Sequence, residues 1–487
     1  MLFNSYIFIL MFLPITLIGY YLLKHFNLYR ASLAWLTGMS LWFYGYNNPA
    51  YLILLCGSVL VNYALGCVMQ RKKDEKIRKA ALGAGLLFNI GLLFYYKYYD
   101  FFISNINQIF QTDYVLLHIM LPLGISFFTF QQLSYVVDCY KKETPEYGFV
   151  EYAAFVTFFP QLVAGPIVLH SELIPQWRDK INQQMNYANL TKGLYAFSLG
   201  LGKKVLLADT LSKLVNFGFG QYACLDSVNV LFAMICYSLQ IYFDFSGYCD
   251  MALGIGYMFN VELPVNFNSP YKADSIGDFW DRWHMTLTRF FTQYIYIPLG
   301  GSRKGTVRTY FNVMIVFFVS GVWHGANWTF ILWGVLNGIC MVWHRIWADY
   351  IKWIPRVMRV GATFLITTLA WSLFRASSIA EARNMLHILF AGTIGKLNAG
   401  YTDIVNDLVE SSILYRIGLG GVMEQFPAFL SLVFVGILLF AVFFMKNTQE
   451  KVKEFRPCYR KMVVFLGLMI WSILSLSDIS EFLYFNF

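Results

Sequence analysis

The sequence predicts an all-α polytopic membrane protein, and three observations lead to that fold class. Apolar residues make up 58% of the 487 positions, the mean hydropathy is +0.52, and only 13% of the residues are charged. Roughly a quarter of the residues in soluble domains are charged, so this composition does not suit one. Apolar windows that are long enough to cross a bilayer recur along the whole chain. We therefore expect a multi-pass membrane protein whose first partner is the lipid bilayer.

Candidate spans are the apolar windows that can cross about 30 Å of hydrocarbon. The first window, at residues 6–23, has no basic segment before it and no small-residue cleavage site after it, so we interpret it as a retained helix. The further windows are 32–46, 51–69, 80–97, 117–137, 150–168, 191–207, 228–243, 248–259, 309–323, 327–344, 357–374, 426–445 and 462–480. Several are too short to span and are expected to be re-entrant or half-membrane helices, which leaves about 11 spans.

Two basic loops predict how the chain is oriented in the membrane. Residues 71–79 and 446–461 are dense in Lys and Arg and lie beside apolar windows. Loops of this kind are enriched on the cytoplasmic side of membranes, so both are expected there. Counting the windows outward from these loops predicts that both termini are extracytoplasmic.

A shorter segment has the pattern of a helix that lies on the membrane surface. Ser378 and Glu381 have the spacing of a capping box, and apolar residues follow at helical intervals from Ile379 to Phe390. The segment is therefore predicted to be an amphipathic interfacial helix.

The charge and the cysteines argue against several classes of function. The net charge is +9, but the basic residues form short runs between apolar windows instead of one stripe, so we do not expect nucleic acid as a partner. The eight cysteines are scattered, without a CxxC pair or a His/Cys cluster. The sequence therefore predicts neither a disulfide framework nor a metal site.

A histidine within apolar sequence is the first candidate for catalysis. Ionisable groups at membrane depth cost about 2.5–3.5 kcal/mol each on insertion scales, so they need a cavity, a partner or a function. His324 follows the apolar run 313–322 and lies between Gly321 and Gly325, which let another backbone or a thin acyl chain approach closely. Imidazole titrates near neutral pH, which suits proton abstraction from a hydroxyl. The alternative is a buried histidine that donates to one carbonyl and has no further role.

A second histidine, His284, follows the aromatic segment FWDRW at 279–283. Ser275 is predicted to cap a helix there, and Asp278 and Arg282 are four residues apart on one face. His284 is therefore expected on a well-defined helix between indoles. The helix is too short and too charged to span, which predicts a re-entrant element.

The basic, glycine-rich turn 298–305 follows this element. Arg303 and Lys304 are candidates for binding a phosphate. For these two residues alone we favour the alternative, in which they anchor the next helix at the lipid headgroups.

Two carboxylates, Asp244 and Asp250, bracket the pair Ser246 and Gly247. This arrangement predicts a broken helix whose ends bind a polar group or brace the histidine-bearing elements, and we favour bracing. Ser246 or Cys249 as a nucleophile is a weaker hypothesis, because neither has a neighbouring base in the sequence. The candidate residues for binding the donor or substrate are Asn327, Trp323, Trp283, Arg282, Asp244, Ser246, Asp250, Arg303 and Lys304.

The motifs around these residues closely resemble the membrane-bound O-acyltransferase (MBOAT) superfamily. The resemblance is closest to the branch with the alginate O-acetylation membrane protein and the membrane protein that D-alanylates teichoic acids, and chain length favours the alginate type. The motifs occur in the same order: LPLGISFFTFQ (121–131), FPQLVAGP (159–166), YFDFSGY (242–248), FWDRWH (279–284) and WHGANW (323–328). They predict one MBOAT domain over 1–487, with a catalytic core at about 120–345 and peripheral helices at 1–110 and 350–487.

The resemblance also implies a mechanism. Spanning helices would surround a central funnel that meets His324, the catalytic base, with His284 as a second active-site residue and Asn327 among the groups that stabilise an oxyanion. An acyl group, most simply acetyl, would move from a cytoplasmic thioester, acetyl-CoA or an acyl carrier protein, to an extracytoplasmic acceptor protein and a polysaccharide. No bound cofactor or metal is implied.

Other functions remain open at this point. D-alanyl transfer from a carrier protein to cell-wall polymers is the alternative within the family. A transporter or channel would also carry His, Asp and Arg among broken helices, but its uptake in vesicles would not depend on an acyl donor. A scaffold for polysaccharide export would tolerate the loss of His324.

Overall fold

The computed structural model of the chain describes residues 1–476 and 482–483. Helices dominate these residues, and the strand-type pairing recorded within them is one isolated bridge between Phe267 and Trp283. The predicted all-α class is therefore confirmed. The chain divides into two compact units, which are Met1–Leu201 with Tyr248–Val265 and Phe455–Phe487, and Gly202–Gly247 with Asn266–Glu454. The single-domain organisation stays a prediction.

The first unit holds the helices of the N-terminal part of the chain and one from its end. Its helices are Phe8–Phe12, Leu13–His25, Tyr29–Gly45, Ala50–Arg71, Glu75–Leu93, Phe94–Tyr98, Tyr99–Phe110, Ile125–Lys141, Phe149–Thr157, Phe159–Leu162, His170–Arg178, Lys180–Gln183 and Tyr459–Leu474. Two further helices, Tyr187–Gly202 and Ser227–Met258, have residues in both units.

The second unit holds both candidate histidines. Its helices are Lys203–Ala208, Asp209–Gly220, Tyr222–Cys224, Pro270–Lys272, Ile276–Arg282, Met285–Phe291, Thr292–Tyr296, Thr306–His324, Trp328–Trp347, Arg356–Arg375, Ile379–Phe390, Ala399–Asn406, Val409–Leu414, Tyr415–Leu419, Gly420–Gln425, Phe429–Phe444 and Thr448–Lys453. The predicted interfacial segment forms the helix Ile379–Phe390, and the Ser378 side chain caps it by accepting from the Glu381 N–H.

Seven helices among the described residues are long and apolar enough to cross a bilayer. They are Phe8–His25, Ala50–Arg71, Glu75–Phe110, Ser227–Met258, Thr306–His324, Trp328–Trp347 and Arg356–Arg375. The helix Phe429–Phe444 is apolar but shorter. These helices support a multi-pass membrane protein, whereas the predicted count of about 11 spans is not confirmed. The last window overlaps the helix Tyr459–Leu474, and its residues 477–480 lie outside the described part of the chain.

Two predicted windows are shorter as helices than the apolar sequence suggested. In the window 117–137 the helix begins only at Ile125, because Gly124 adopts a left-handed conformation with φ 71°. A Cβ atom on Gly124 would lie 2.4 Å from the carbonyl oxygen of Leu162, so only glycine fits this turn. The window 150–168 breaks near Phe158, where the backbone leaves the helical region (ψ 106°). Neither window is one continuous span.

The predicted break at Ser246 and Gly247 is wrong. A single helix, Ser227–Met258, continues through both residues and joins the two windows 228–243 and 248–259. A break would free backbone groups, which would then need new hydrogen-bond partners. The Asp244 carboxylate does not need those groups as partners, because it pairs with the buried Lys204 side chain. Continuous helix is therefore the less costly arrangement here.

Within the first unit, amide side chains link neighbouring helices. Asn62 Nδ2 donates to Gln132 Oε1 at 2.9 Å and to Asn89 Oδ1 at 3.2 Å, and all three residues are buried. Gln132 Nε2 in turn donates to the Ser58 hydroxyl at 2.9 Å. In apolar surroundings such bonds join helices, because the alternative is an unsatisfied polar group.

Within the second unit, two glycines set the spacing of a helix pair. Gly321, on Thr306–His324, packs against Gly334 of the next helix, Trp328–Trp347. A Cβ atom on Gly321 would lie 2.5 Å from the Phe330 carbonyl oxygen and 3.1 Å from Gly334 Cα. Small residues at such a crossing let two backbones approach closely. The close packing fixes the end of the helix that carries His324.

We expect Gly321→Ala to destabilise the protein by about 1–3 kcal/mol, because the added methyl group overpacks the helix crossing. Gly361→Ala is the matched control, since its Cβ would meet nothing within 4 Å in the helix Arg356–Arg375. The control should leave stability unchanged or raise it by about 0.5–1 kcal/mol. Thermal unfolding of the purified variants in one detergent compares them. Equal melting temperatures for both variants would contradict close glycine packing.

Candidate active site

His284 lies at the break between two short helices, Ile276–Arg282 and Met285–Phe291, so the prediction that it lies on one helix is wrong. The predicted start of the first helix is confirmed, because the Ser275 hydroxyl accepts from the backbone N–H of Asp278. The break is therefore not a failure of local helix signals. It has a cause outside the helix.

That cause is pairing with a preceding segment. Backbone hydrogen bonds and an antiparallel bridge join residues 266–268 to residues 282–285. Trp283 becomes extended (φ −100°, ψ 126°), and His284 takes a left-handed conformation (φ 47°, ψ 49°). Few residues other than glycine adopt positive φ, although histidine, asparagine and aspartate do so more readily than most. The pairing thus fixes the backbone of His284.

The Asn266 side chain determines which nitrogen of His284 carries the proton. The backbone N–H and the hydroxyl of Thr286 both donate to Asn266 Oδ1, at 3.3 and 2.9 Å. A backbone N–H can only donate, so this amide oxygen is the acceptor. His284 Nδ1 lies 3.0 Å from the same oxygen. Nδ1 is therefore protonated, and Nε2 carries the lone pair of the neutral ring.

His324 is the last residue of the helix Thr306–His324 and is buried. Its Nδ1 lies 3.0 Å from the carbonyl oxygen of Ser320, one turn earlier. A carbonyl only accepts, so His324 Nδ1 donates and Nε2 again carries the lone pair. Both histidines thus have the same tautomer, each fixed by one hydrogen bond. This is the tautomer in which Nε2 can accept a proton.

Both histidines line one cavity of about 230 Å³. Most of its wall is apolar and includes Leu287, Val313 and Phe317. The hydroxyl-bearing residues along the wall are Thr288, Thr292, Tyr296 and Ser320. The cavity is therefore a largely apolar space with both imidazoles in its wall.

One end of the cavity reaches exposed residues. The exposed members of its lining are Asp281, Thr292 and Arg345. A second space of about 440 Å³ shares Asp281 and Thr292 with the cavity and is also lined by Arg289. The two spaces therefore adjoin, and charged residues line the side of the cavity that reaches exposed residues.

Aromatic rings hold the two imidazoles. The Trp323 ring centroid lies 4.8 Å from that of His324 and 6.2 Å from that of His284. Trp333 and Phe374 pack on His324 at 5.1 and 5.2 Å. Phe245 packs on His284 at 4.8 Å. These contacts restrict the rotation of both rings and keep bulk water away from them.

Burial lowers the pKa of His284 to about 3, because desolvation disfavours its charged form. His284 is therefore neutral at physiological pH and cannot act as a cation. The pKa of Asp281 is raised, first by desolvation and then by the neighbouring Asp278 carboxylate. Asp281 thus binds a proton more readily than an ordinary surface aspartate.

The predicted binding residues beside the histidines have identifiable contacts. Asn327 caps the helix Trp328–Trp347, with Oδ1 accepting from the Thr329 N–H at 3.1 Å and Nδ2 donating to the Ser377 carbonyl at 3.1 Å. Both polar atoms of this amide are therefore engaged in structural contacts. Its oxyanion role stays a prediction.

Arg282 and Trp283 are also held by their own unit. Arg282 Nε donates to Asp278 Oδ1 at 2.7 Å, as the four-residue spacing predicts. Trp283 is buried, stacks on Phe279 and lines the cavity. Gly321, which lies one turn before His324 on the same helix, packs closely against the backbone of the next helix. The sequence predicts that either such a backbone or a thin acyl chain approaches this glycine.

The remaining candidates do not line either cavity. Lys204 Nζ lies 2.7 Å from Asp244 Oδ1, and both side chains are buried; the bracing of the histidine-bearing elements stays a prediction. Ser246 Oγ lies 3.4 Å from Lys203 Nζ. Asp250, which belongs to the first unit, and Arg303 and Lys304, which lie in an exposed turn, are not among the lining residues.

The described residues contain no group of three or more His, Cys, Asp or Glu side chains that could hold a metal ion. Sequence reasoning missed Asn266, Ser320 and Arg345. Asn266 belongs to the polar stretch NFNSP, which precedes the two short helices around His284 and was the available signal. Ser320 acts through its backbone carbonyl, and Arg345 reaches the cavity only through helix packing, so neither had a local signal.

Comparisons with known proteins identify the family and the relatives of this chain. The model of the membrane-bound O-acyltransferase (MBOAT) family matches residues 76–374. A peptidoglycan O-acetyltransferase from Helicobacter pylori is 39% identical, over 100% of this chain and 98% of the relative. A probable alginate O-acetylase AlgI from Pseudomonas aeruginosa is 36% identical, over 80% of this chain and 75% of the relative.

A more distant relative is a teichoic acid D-alanyltransferase from Bacillus subtilis, which is 26% identical over 48% of this chain and 62% of the relative. The family match covers more than half of the chain and includes both histidines. The two closer relatives are O-acetylating enzymes by name. The chain belongs to the membrane-bound O-acyltransferase family.

Proposed function

We propose that this O-acyltransferase moves an acetyl group from a thioester donor to a hydroxyl of peptidoglycan or of an acceptor that serves it, with His324 as the general base. The observation that carries the proposal is one apolar cavity lined by two histidines, each of which is protonated on Nδ1 and carries its lone pair on Nε2. The full-length similarity to a peptidoglycan O-acetyltransferase supports the choice of acetyl and of peptidoglycan.

His324 Nε2 takes the proton of the acceptor hydroxyl as its oxygen attacks the thioester carbonyl. The C–O bond forms, and the carbonyl electrons move to the oxygen to give a tetrahedral intermediate. The intermediate collapses, the C–S bond breaks, and the imidazolium returns its proton to the leaving sulfur. The Ser320 carbonyl, which accepts from Nδ1–H, stabilises the positive ring between these two steps.

The apolar walls favour transfer over hydrolysis. Water that reached the thioester would compete with the acceptor hydroxyl, and the rings of Trp323, Trp333 and Phe374 around His324 limit its access. His284 is neutral and carries its lone pair on Nε2, so it can accept a hydrogen bond from the donor or the acceptor. It cannot supply charge to an oxyanion.

The donor is a cytoplasmic thioester, acetyl-CoA or an acetylated carrier protein, and it enters by the mouth with Asp281 and Arg345. An arginine at that mouth suits the phosphate of a pantetheine arm. The acceptor is reached from the extracytoplasmic side, where a partner protein passes the acetyl group to the glycan. Both termini lie on that side, and the protein works in the plasma membrane without a bound cofactor.

We expect His324→Ala to abolish peptidoglycan O-acetylation to below about 1% of wild type, because a general base contributes about 10²–10⁴-fold. The measurement is the acetate released by mild base from peptidoglycan of a deletion strain that carries each variant. His387→Ala is the matched control, since this histidine is exposed on the helix Ile379–Phe390. Wild-type acetate from the His324→Ala strain would rule out the proposed base.

The same extracts separate the other functions. Base-released D-alanine in place of acetate would replace acetyl transfer with D-alanyl transfer. Solute uptake by vesicles that contain no acyl donor, together with unchanged peptidoglycan, would favour a transporter.

We expect the rate of acetyl transfer to fall with decreasing pH along a slope of one proton, because protonation of His324 removes its lone pair. His284 adds no second proton above about pH 4, since burial lowers its pKa to about 3. Asparagine tolerates the left-handed backbone conformation of residue 284, so His284→Asn is expected to fold. This variant should lower the maximal acetyl-transfer rate about 10- to 100-fold without shifting the acidic part of the pH profile. Membrane vesicles supplied with labelled acetyl-CoA give the profile. A wild-type slope of two that becomes one in His284→Asn would contradict this assignment.

A further inference from the structure

Asn266 is the polar residue that connects the backbone pairing to the imidazole of His284. It is 2% exposed, and its Oδ1 receives hydrogen bonds from His284 Nδ1 and from two groups of Thr286. Its backbone carbonyl also accepts from the N–H of Met285. Asn266 therefore fixes both the backbone that follows His284 and the His284 ring.

These contacts leave the ring little freedom. A 180° flip about the Cβ–Cγ bond would place a carbon in place of the Nδ1–H and would lose the bond to Asn266. The other tautomer would put two lone pairs against each other, because Thr286 already fixes Oδ1 as the acceptor. Phe245 packs edge-on against the ring and opposes smaller rotations.

We infer that Asn266 is a positioning residue of the acetyl-transfer site, which holds His284 with Nε2 as a hydrogen-bond acceptor for the substrate. The inference rests on the proposed function. The inference requires the substrate to present an N–H or O–H group to His284 Nε2. An amide N–H of a pantetheine arm and the hydroxyl of the acceptor both meet this requirement.

The electrostatic surroundings of His284 are consistent with an uncharged acceptor. Among the described residues that line the same cavity, the titratable groups are Asp281, Tyr296, His324 and Arg345. Contacts of the ring with described residues include those with Phe245, Trp323 and the Asn266 amide. Burial accordingly keeps the imidazole neutral.

The test is nitrogen NMR of the full-length chain in lipid nanodiscs, with ¹⁵N-labelled histidine. A protonated and an unprotonated ring nitrogen have well-separated shifts, and the signals of His284 are those lost in His284→Asn. Over a titration from about pH 5 to about pH 9, we expect His284 to stay in the Nδ1–H tautomer. In Asn266→Ala we expect a mixture of tautomers, because the acceptor for Nδ1–H is gone.

Two further variants keep the test decisive. Asn266→Asp retains an acceptor oxygen and adds negative charge, so it should keep Nδ1 protonated and raise the pKa of His284. It serves where Asn266→Ala does not fold. Asn337→Ala removes another buried amide, whose Nδ2 donates to the Trp333 carbonyl, and should leave the His284 signals unchanged. An Nε2–H tautomer in the wild type, an unchanged tautomer in Asn266→Ala, or a His284 pKa that does not rise in Asn266→Asp would overturn the inference.

The activity arm distinguishes this inference from the proposed function. Peptidoglycan acetate should fall about 10- to 100-fold in Asn266→Ala and recover in part in Asn266→Asp, as expected for a misplaced group at the site. Should His324→Ala retain acetylation, the proposed function itself fails. Should His324→Ala be inactive while Asn266→Ala shows full activity, the positioning role alone fails.

Discussion

The hydrogen bond from each imidazole Nδ1–H to a fixed oxygen is the interaction on which the site depends. Ser320 supplies a backbone carbonyl one helical turn before His324, and Asn266 supplies an amide oxygen to His284. A neutral histidine has one donor and one acceptor nitrogen, so satisfying the donor determines what the ring offers to a substrate. In both cases the ring offers a lone pair.

The two anchors have different structural origins. The Ser320 carbonyl lies one turn before His324 in the last turn of the helix, and glycine packing at Gly321 holds that end against the next helix. The Asn266 anchor comes from irregular backbone, which pairs with residues 282–285 and interrupts the helix at His284. Buried irregular backbone persists only where protein satisfies its polar groups. Here the same irregular backbone also orients the His284 side chain.

Much of this arrangement could be predicted from the sequence. Composition and apolar windows predict the all-α class, and the motifs predict the family, because both depend on local patterns. The Ser275 and Ser378 caps follow from spacing alone. The break at His284 could not be predicted, because Ile276–Arg282 has every local signal of a helix and the opposing segment decides its end. The expected break at Ser246 failed for the converse reason, since Lys204 neutralises Asp244 from another helix.

The most direct test of the site is a cryo-EM map of the full-length protein with a non-hydrolysable thioether analogue of S-acetylpantetheine. This arm is common to both classes of donor, so the result does not depend on which one the cell uses. We predict that the analogue occupies the cavity between His284 and His324, with its acyl carbon near His324 Nε2, so that an attacking hydroxyl fits between them at about 3–3.5 Å from that carbon. An analogue bound outside this cavity, or a His324 ring that donates from Nε2 to it, would contradict the general-base mechanism.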